Sequence, residues 1–314
     1  MTCTPAPATG GDIVFGALTP TVRTAVRRSG GWFVSNAGWI IGQRATLVID
    51  TFASERRTVE LLDSVHATRR AAAASATGLL VVLTHAHGDH ANGAGLLEAA
   101  GATIYAAVNT GEELLKYGIQ RFPGLLATPD WGAVIPPSAF TPLADTQIFD
   151  LGGTTAEIAT LSDPAHSAGD VFVHLPQQRI LFAGDLVWNG VTPLALNGSV
   201  TGWLDQMDSL ASRQPLTVVP GHGAVGGPDL IDSTRRYLDW IVTLAEEMID
   251  GAELTPDSLM DRRADLEWGA WACPERDIAN VSRAVSDVDG RPYDVMQAMT
   301  AMRDRWDGLI KLEA

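Results

Sequence analysis

Three imidazoles and a carboxylate stand between His85 and His90 in the run Thr84-His85-Ala86-His87-Gly88-Asp89-His90, which follows an apolar stretch, Leu79–Leu83. In an extended turn His85 and His87 face the same side, as alternate residues do, while Asp89 and His90 can turn towards a second position. One peptide can thus serve two adjacent ions. Imidazole and carboxylate are zinc-type ligands, and a catalytic ion takes about three protein ligands with a position left open for water. The motif alone supplies too few for two ions. Further candidates flank apolar runs beside small residues: His166 in Pro164-Ala165-His166-Ser167, Asp185 in Phe182-Ala183-Gly184-Asp185, and His222 in Pro220-Gly221-His222-Gly223. Together with the motif these account for five of the seven histidines. His66, in a helical segment, and His174, in a strand-like one, are read as structural. Asp50, which ends Leu47-Val48-Ile49, and Asp170 either orient a ligand histidine or serve as turn residues.

The elements that must position these residues alternate between strand and helix. Trp32–Val34, Trp39–Ile41 and Thr46–Ile49 read as adjacent strands, with Asn36-Ala37-Gly38 and Gly42-Gln43-Arg44 as turns. Ser54 to Ala76 reads as a helix with Ser54 as N-cap, Leu62 and Val65 on one face, and Arg56, Arg57, Arg69 and Arg70 on a solvated face. A strand at Leu79–Leu83 leads through the motif into a helix over Ala91–Ala100. Strands follow near Thr103–Tyr105, Gln147–Leu151 and Thr155–Thr160, with a hairpin of Val171–Leu175 and Ile180–Ala183 around Pro176–Arg179. Gly202–Arg213, Pro228–Asp250 and much of the last sixty residues read as helices. The segment Lys116–Ala144, with five prolines, is the candidate loop or lid. A flexible arm over 1–12 followed by one α/β domain over 13–314 is the expected organisation.

The chain has 314 residues, 46% of them hydrophobic and 19% charged, which is a globular composition. Its formal net charge of -15 gives no general attraction to nucleic acid or anionic lipid, so neither is an expected partner. Cys3 and Cys273 are too far apart to suggest a disulfide framework, and neither a secretory signal nor a membrane span is evident. The expected location is cytoplasmic.

In the order of these motifs, from about Gly31 to Asp250, the sequence resembles the metallo-β-lactamase superfamily, whose fold is a four-layer αββα sandwich with its metals at one edge. The resemblance implies His85, His87 and His166 on a first metal, Asp89, His90 and His222 on a second, and Asp185 bridging both. The β-lactamases proper usually have Cys or Ser where Asp185 stands. Antibiotic hydrolysis is therefore disfavoured against the glyoxalase II-like and lactonase branches. A narrower similarity, to the cyclase/thioesterases of actinorhodin-type aromatic polyketide pathways, rests on Gly30-Gly31-Trp32-Phe33-Val34-Ser35-Asn36-Ala37-Gly38, on Trp131-Gly132 and on Val191-Thr192-Pro193-Leu194-Ala195-Leu196-Asn197-Gly198-Ser199.

The reaction so implied is attack on a thioester or ester carbonyl by hydroxide generated between two zinc ions, with iron or manganese left open. Asp89 and Asp185 are the catalytic carboxylates, and Trp32, Phe33, Trp131, Trp188 and Leu196 are candidate substrate contacts. The partner would be a small acyl substrate, free or presented on an acyl carrier protein. A thioester suits a site with no evident extra acid, because thiolate leaves readily. A glutathione thioester would require a cationic patch from arginines such as Arg262, Arg263 or Arg276. A mononuclear iron persulfide dioxygenase is the competing class.

Overall fold

The pentapeptide Ala45–Ile49 buries its last four residues, whichever way their side chains point, which requires packing on both faces of its sheet. Leu47 and Ile49 join one apolar cluster, while Val48 joins another. The computed structural model describes residues 13–27, 31–74, 78–119, 122, 124–127, 130–305 and 308–312. The expected N-terminal arm, with Cys3, lies outside them.

In chain order the elements are β1 (Ile13–Ala17), β2 (Val22–Arg27), β3 (Ala37–Ile41), β4 (Ala45–Ile49), α1 (Glu55–Ala71), β5 (Gly78–Val82), α2 (Gly88–Ala91), α3 (Ala94–Ala99), β6 (Thr103–Ala107), α4 (Val108–Tyr117) and β7 (Thr141–Leu143). The second half comprises β8 (Thr146–Asp150), β9 (Thr155–Thr160), β10 (Val171–Leu175), β11 (Ile180–Trp188), α5 (Val200–Ser212), β12 (Thr217–His222), α6 (Asp229–Ile249), α7 (Pro256–Arg263), α8 (Arg276–Asp289) and α9 (Val295–Arg303). The strands form one sheet in the order β1-β2-β3-β4-β5-β6-β7 and another in the order β12-β11-β10-β9-β8. Strands β4 to β7 run parallel, as do β11 and β12.

Between the sheets lie Ile40, Leu47, Ile49 and Val82 from one side and Ile158, Val173, Ile180 and Phe182 from the other. The outer face of the first sheet packs Trp39, Val48 and Val81 on helix residues Leu61, Val65, Leu97 and Leu114. The outer face of the second packs Phe172, Leu181 and Ala183 on Trp203, Met207, Tyr237 and Ile241. The result is the expected α/β architecture: helix, sheet, sheet, helix. No helix among the described residues is long and apolar enough to cross a membrane.

Several local expectations fail for physical reasons. Trp32–Val34 is not a strand: Trp32 makes a single bridge to Leu312, and Phe33 takes a left-handed φ of 63°. Ala37 and Gly38, expected in a turn, open β3. The helix expected over Ala91–Ala100 splits at Asn92-Gly93, where a Cβ on Gly93 would stand 2.3 Å from Thr58 Oγ1. Ser54 does precede α1, but its side chain makes no capping bond. Arg57 and Arg69 are buried, so α1 does not present four arginines to solvent. The five-residue strands β1 and β8 carry exposed apolar residues, and β1 and β2 were not anticipated. The expected loop over Lys116–Ala144 includes the last two residues of α4 and the strand β7, and between them the described residues form no helix or strand beyond the bridge Leu126–Ile310.

Candidate metal centre

The sheets meet at the edge where β5, β11 and β12 end, and each end delivers polar residues. Leu83 closes the β5 run, and the chain turns through His85 and His87 into α2, which carries Asp89 and His90. The β9–β10 connection supplies His166, β11 supplies Asp185, and β12 terminates on His222. All seven sequence candidates converge. His85, His87, His166 and Asp185 offer ligand atoms within 4.8 Å of one another, and so do Asp89, His90 and His222. Asp185 also touches the second group: Oδ1 lies 3.1 Å from His90 Nε2, and Oδ2 lies 3.3 Å from His222 Nε2 and 3.3 Å from His166 Nε2.

Asp50, anticipated as a ligand-orienting or turn residue, is both. It follows β4 with a left-handed φ of 60°, and its Oδ1 accepts the Thr84 N–H at 2.7 Å. Its Oδ2 accepts the Thr84 hydroxyl and pairs with His90 Nδ1, each at 2.8 Å. Thr84 Oγ1, having donated its proton, can accept only from His85 Nδ1, 3.0 Å away. One carboxylate thereby fixes Nδ1 as a protonated nitrogen in both His85 and His90 and turns both Nε2 atoms inward. Asp170 performs a comparable task for the His166 loop. Its oxygens accept the Ser167 N–H and hydroxyl, each at 2.7 Å, and burial pushes its pKa up to about 6.

Asn36 shows what the Ser35-Asn36 part of the early segment does. Its amide donates to Pro220 O at 2.9 Å and Gly223 O at 2.8 Å, clamping the peptide that carries His222. Ser35 Oγ donates to Asp89 O at 2.6 Å. Gly221 leaves room for the shared carboxylate, since a Cβ there would lie 1.9 Å from Asp185 Oδ1. Gly221→Ala is therefore expected to destabilise the fold by about 1–3 kcal/mol through overpacking and to weaken metal binding about tenfold. Chemical denaturation and metal titration would check this; unchanged values for both would show that Asp185 can move away freely.

The donor set fits divalent cations. Buried carboxylates are stable only when paired, and among the described residues Asp89 and Asp185 meet only imidazoles within ion-pair distance. Burial holds the pKa values of His85, His87 and His166 below the ordinary imidazole value. For His90 burial acts in the same direction, but Asp185, Asp50 and Asp89 outweigh it and raise the pKa well above normal. Burial would raise Asp185, but His222, His90 and His166 hold it well below the carboxylate range. Ligand nitrogens around a tetrahedral ion at about 2.0–2.1 Å stand about 3.3 Å apart. The facing nitrogens here are 3.1 Å apart for His85 and His87, 2.9 Å for His87 and His166, and 3.4 Å for His90 and His222.

A cleft opens above this cluster. This cleft, the slot, spans about 530 Å³ including the solvent at its open mouth. Trp32, Phe33, Trp188 and Leu196 line it, as the sequence suggested. Trp188 stacks on His222 with ring centroids 4.0 Å apart and planes within 1°, and its Nε1 donates to Asp185 O at 2.6 Å. Trp131 does not line the slot. It packs with Ala53 and Val134 behind Phe33, at a ring separation of 5.3 Å, because the loop carrying it lies against the start of α1. Leu194 and Asn197, from the quoted stretch Val191–Ser199, also line the slot, although the sequence singled out only Leu196 there as a substrate contact. Phe122, Leu126 and Met299 line it too and come from a loop and a helix with no motif of their own. Of the arginines considered for an anion patch, only Arg276 reaches the slot; Arg263 is buried against Asp277 and Arg262 pairs with Glu247 at the surface.

Residues 30–222 match the family described as the metallo-beta-lactamase superfamily. The metallo-beta-lactamase type 2 of Bacteroides fragilis is 27% identical over 67% of this chain and 78% of its own length. The acyl-coenzyme A thioesterase MBLAC2 of Bos taurus is 28% identical over 64% of this chain and 77% of its own. Among solved structures, a metallo-beta-lactamase from Pontibacter korlensis superposes with a TM-score of 0.58 at 21% identity, covering 72% of this chain and 99% of that one.

Proposed function

The chain belongs to the metallo-β-lactamase superfamily of hydrolases, and from that premise we propose that it is a thioesterase working with two divalent ions, zinc in type. One ion would be held by His85, His87 and His166, the other by Asp89, His90 and His222, with Asp185 shared. Such ions supply Lewis acidity towards a carbonyl and lower the pKa of water towards neutrality.

The observation that carries the thioester reading is the composition of the slot. Beyond the seven clustered residues, its described lining is apolar except for Asn197 and Arg276. Among the described lining residues no further carboxyl, imidazole or lysine is at hand to protonate a departing amine or alkoxide. A thiolate, with its lower pKa, leaves without such help. Asp89 lines the slot, and with Oδ2 turned towards His90 and His222, 3.8 and 3.4 Å from their Nε2 atoms, its other oxygen is the one left to orient an attacking oxygen and take its proton. Trp188 is immobilised by His222 and keeps bulk water off one side of the centre. The likeness to an acyl-coenzyme A thioesterase supports the same chemistry.

A slot between aromatic walls suits a flat acyl chain, so the finer proposal is a carrier-bound, partly aromatic polyketone that is cyclised and released at this site. Lactones and glutathione thioesters are the alternatives within hydrolysis.

The deciding experiment measures metal content after purification without added metal, together with turnover of acyl thioesters, lactones and a β-lactam. Near two zinc ions per chain and turnover of thioesters above the other substrates is the expected result. One iron per chain with oxygen consumption on a persulfide would replace this reading by a dioxygenase.

A further inference from the structure

Among the described residues Arg276 is the one guanidinium that lines the slot, and its setting is unusual for a charge. It is 2% exposed, yet among the described residues no carboxylate lies within ion-pair distance of it. The neighbouring acids are committed elsewhere. Glu275 Oε1 accepts Trp32 Nε1 at 2.8 Å, Asp277 binds Arg263 and the Tyr237 hydroxyl, and Asp89 and Asp185 face imidazoles. Arg276 Nη1 donates to Thr192 O at 2.9 Å, whereas Nε, although buried, has no hydrogen-bond partner. The guanidinium carbon sits over two indoles, 4.6 Å from the Trp32 ring and 5.2 Å from the Trp188 ring.

Cation–π contact offsets part of the desolvation of such a charge but does not replace a counter-ion. The position adds to the imbalance, because Arg276 opens α8, where the helix dipole already favours negative charge. The charge is also held rigidly. Asn280 Nδ2 donates to Pro193 O at 2.8 Å and its Oδ1 accepts the Ala195 N–H at 2.8 Å, while Arg263 Nη2 donates to Thr192 Oγ1 at 3.1 Å. The loop beneath the guanidinium is thus pinned from behind by α7 and α8. Through Trp188, the same guanidinium stands one indole away from His222.

We propose that Arg276 is a recognition subsite for an anionic oxygen on the acyl group, a carboxylate or an enolate, lying beyond the scissile carbonyl. The proposal rests on the thioesterase reading, and it specifies which acyl groups that enzyme prefers. Arg276 would be a binding residue, since the reacting atoms lie at the histidine cluster.

The test uses binding as well as turnover. Ketone analogues of glutaryl and 3,5-dioxohexanoyl N-acetylcysteamine thioesters, with CH2 in place of sulfur, are titrated calorimetrically into the full chain beside the glutaryl methyl ester. The expected result is at least about tenfold tighter binding of one or both anionic analogues than of the neutral ester, which ranks carboxylate against enolate as the source. In Arg276→Gln that preference disappears with ester binding within about twofold, and in Arg276→Lys it partly returns. Equal binding of all three by the unaltered chain overturns the proposal, and so does equal loss of all three in Arg276→Gln, which would mark a purely structural stack. If Arg276→Gln does not fold, the unaltered chain and Arg276→Lys decide. Retained preference without hydrolysis of the parent thioesters would reject the thioesterase reading and leave the subsite standing.

Discussion

Asp185→Asn is expected to lower thioester hydrolysis at least about 10²–10³-fold, more than the 10–100-fold typical of a residue that only orients a ligand. The reason is electrostatic rather than steric. The two side chains have nearly the same shape, so the packing against Gly221 is retained. What is lost is a buried negative charge shared by His85, His90, His166 and His222, whose Nε2 atoms lie 3.1–3.7 Å from its oxygens. An amide offers one acceptor and turns its NH2 towards lone pairs that must stay free. Metal per chain should fall together with kcat/KM. A variant that keeps its full metal content and activity within tenfold would remove Asp185 from the centre.

For Asp50→Ala the expected loss is in both stability and metal affinity. Three buried donors, the Thr84 N–H, the Thr84 hydroxyl and the His90 imidazole, lose their acceptor. An unsatisfied buried donor costs about 1–3 kcal/mol, so about 2–4 kcal/mol of total stability is at stake after local relaxation. Alanine is also less at ease than aspartate at the left-handed backbone of this position. Because Asp50 sets the tautomers of His85 and His90, metal affinity should drop about 10–100-fold. Asp50→Asn separates the two effects: asparagine tolerates the backbone, so the fold loses less while the tautomers are still released. Denaturant titration and competition with a chelator would measure both. Equal metal affinity in both variants and the unaltered chain would deny Asp50 any orienting role.

The core of the centre was legible because its chemistry is written locally. His85, His87, Asp89 and His90 share one turn, and His166, Asp185 and His222 stand beside small residues at or near strand ends, where an ion can approach. The orienting carboxylate Asp50 was visible for the same reason, although its partners were not. The slot was less legible. Trp131 looked like a substrate contact, but whether an aromatic faces a ligand or supports another ring depends on how a loop lies, and no periodicity encodes that. Arg57 and Arg69 sit at exposed-looking positions on α1 and are nevertheless buried. Phe122, Leu126 and Met299 reach the slot because a loop before β7 and the final helix fold across the sandwich edge, a tertiary event without a local signature.

The two sheets contribute the centre from separated stretches of chain, His222 following His90 by 132 positions. A ribosome adding about 5–20 residues per second needs roughly 7–26 s to cover that distance. Throughout that interval the nascent chain displays the turn bearing His85, His87, Asp89 and His90 without the residue that closes its second cluster. Any ion captured then is held by a partial set, and transition metals near the copper end of the stability series bind partial sets most strongly. Discrimination among metals therefore falls to the finished sandwich, when β11 and β12 dock and the late ligands retain or displace whatever the early turn collected.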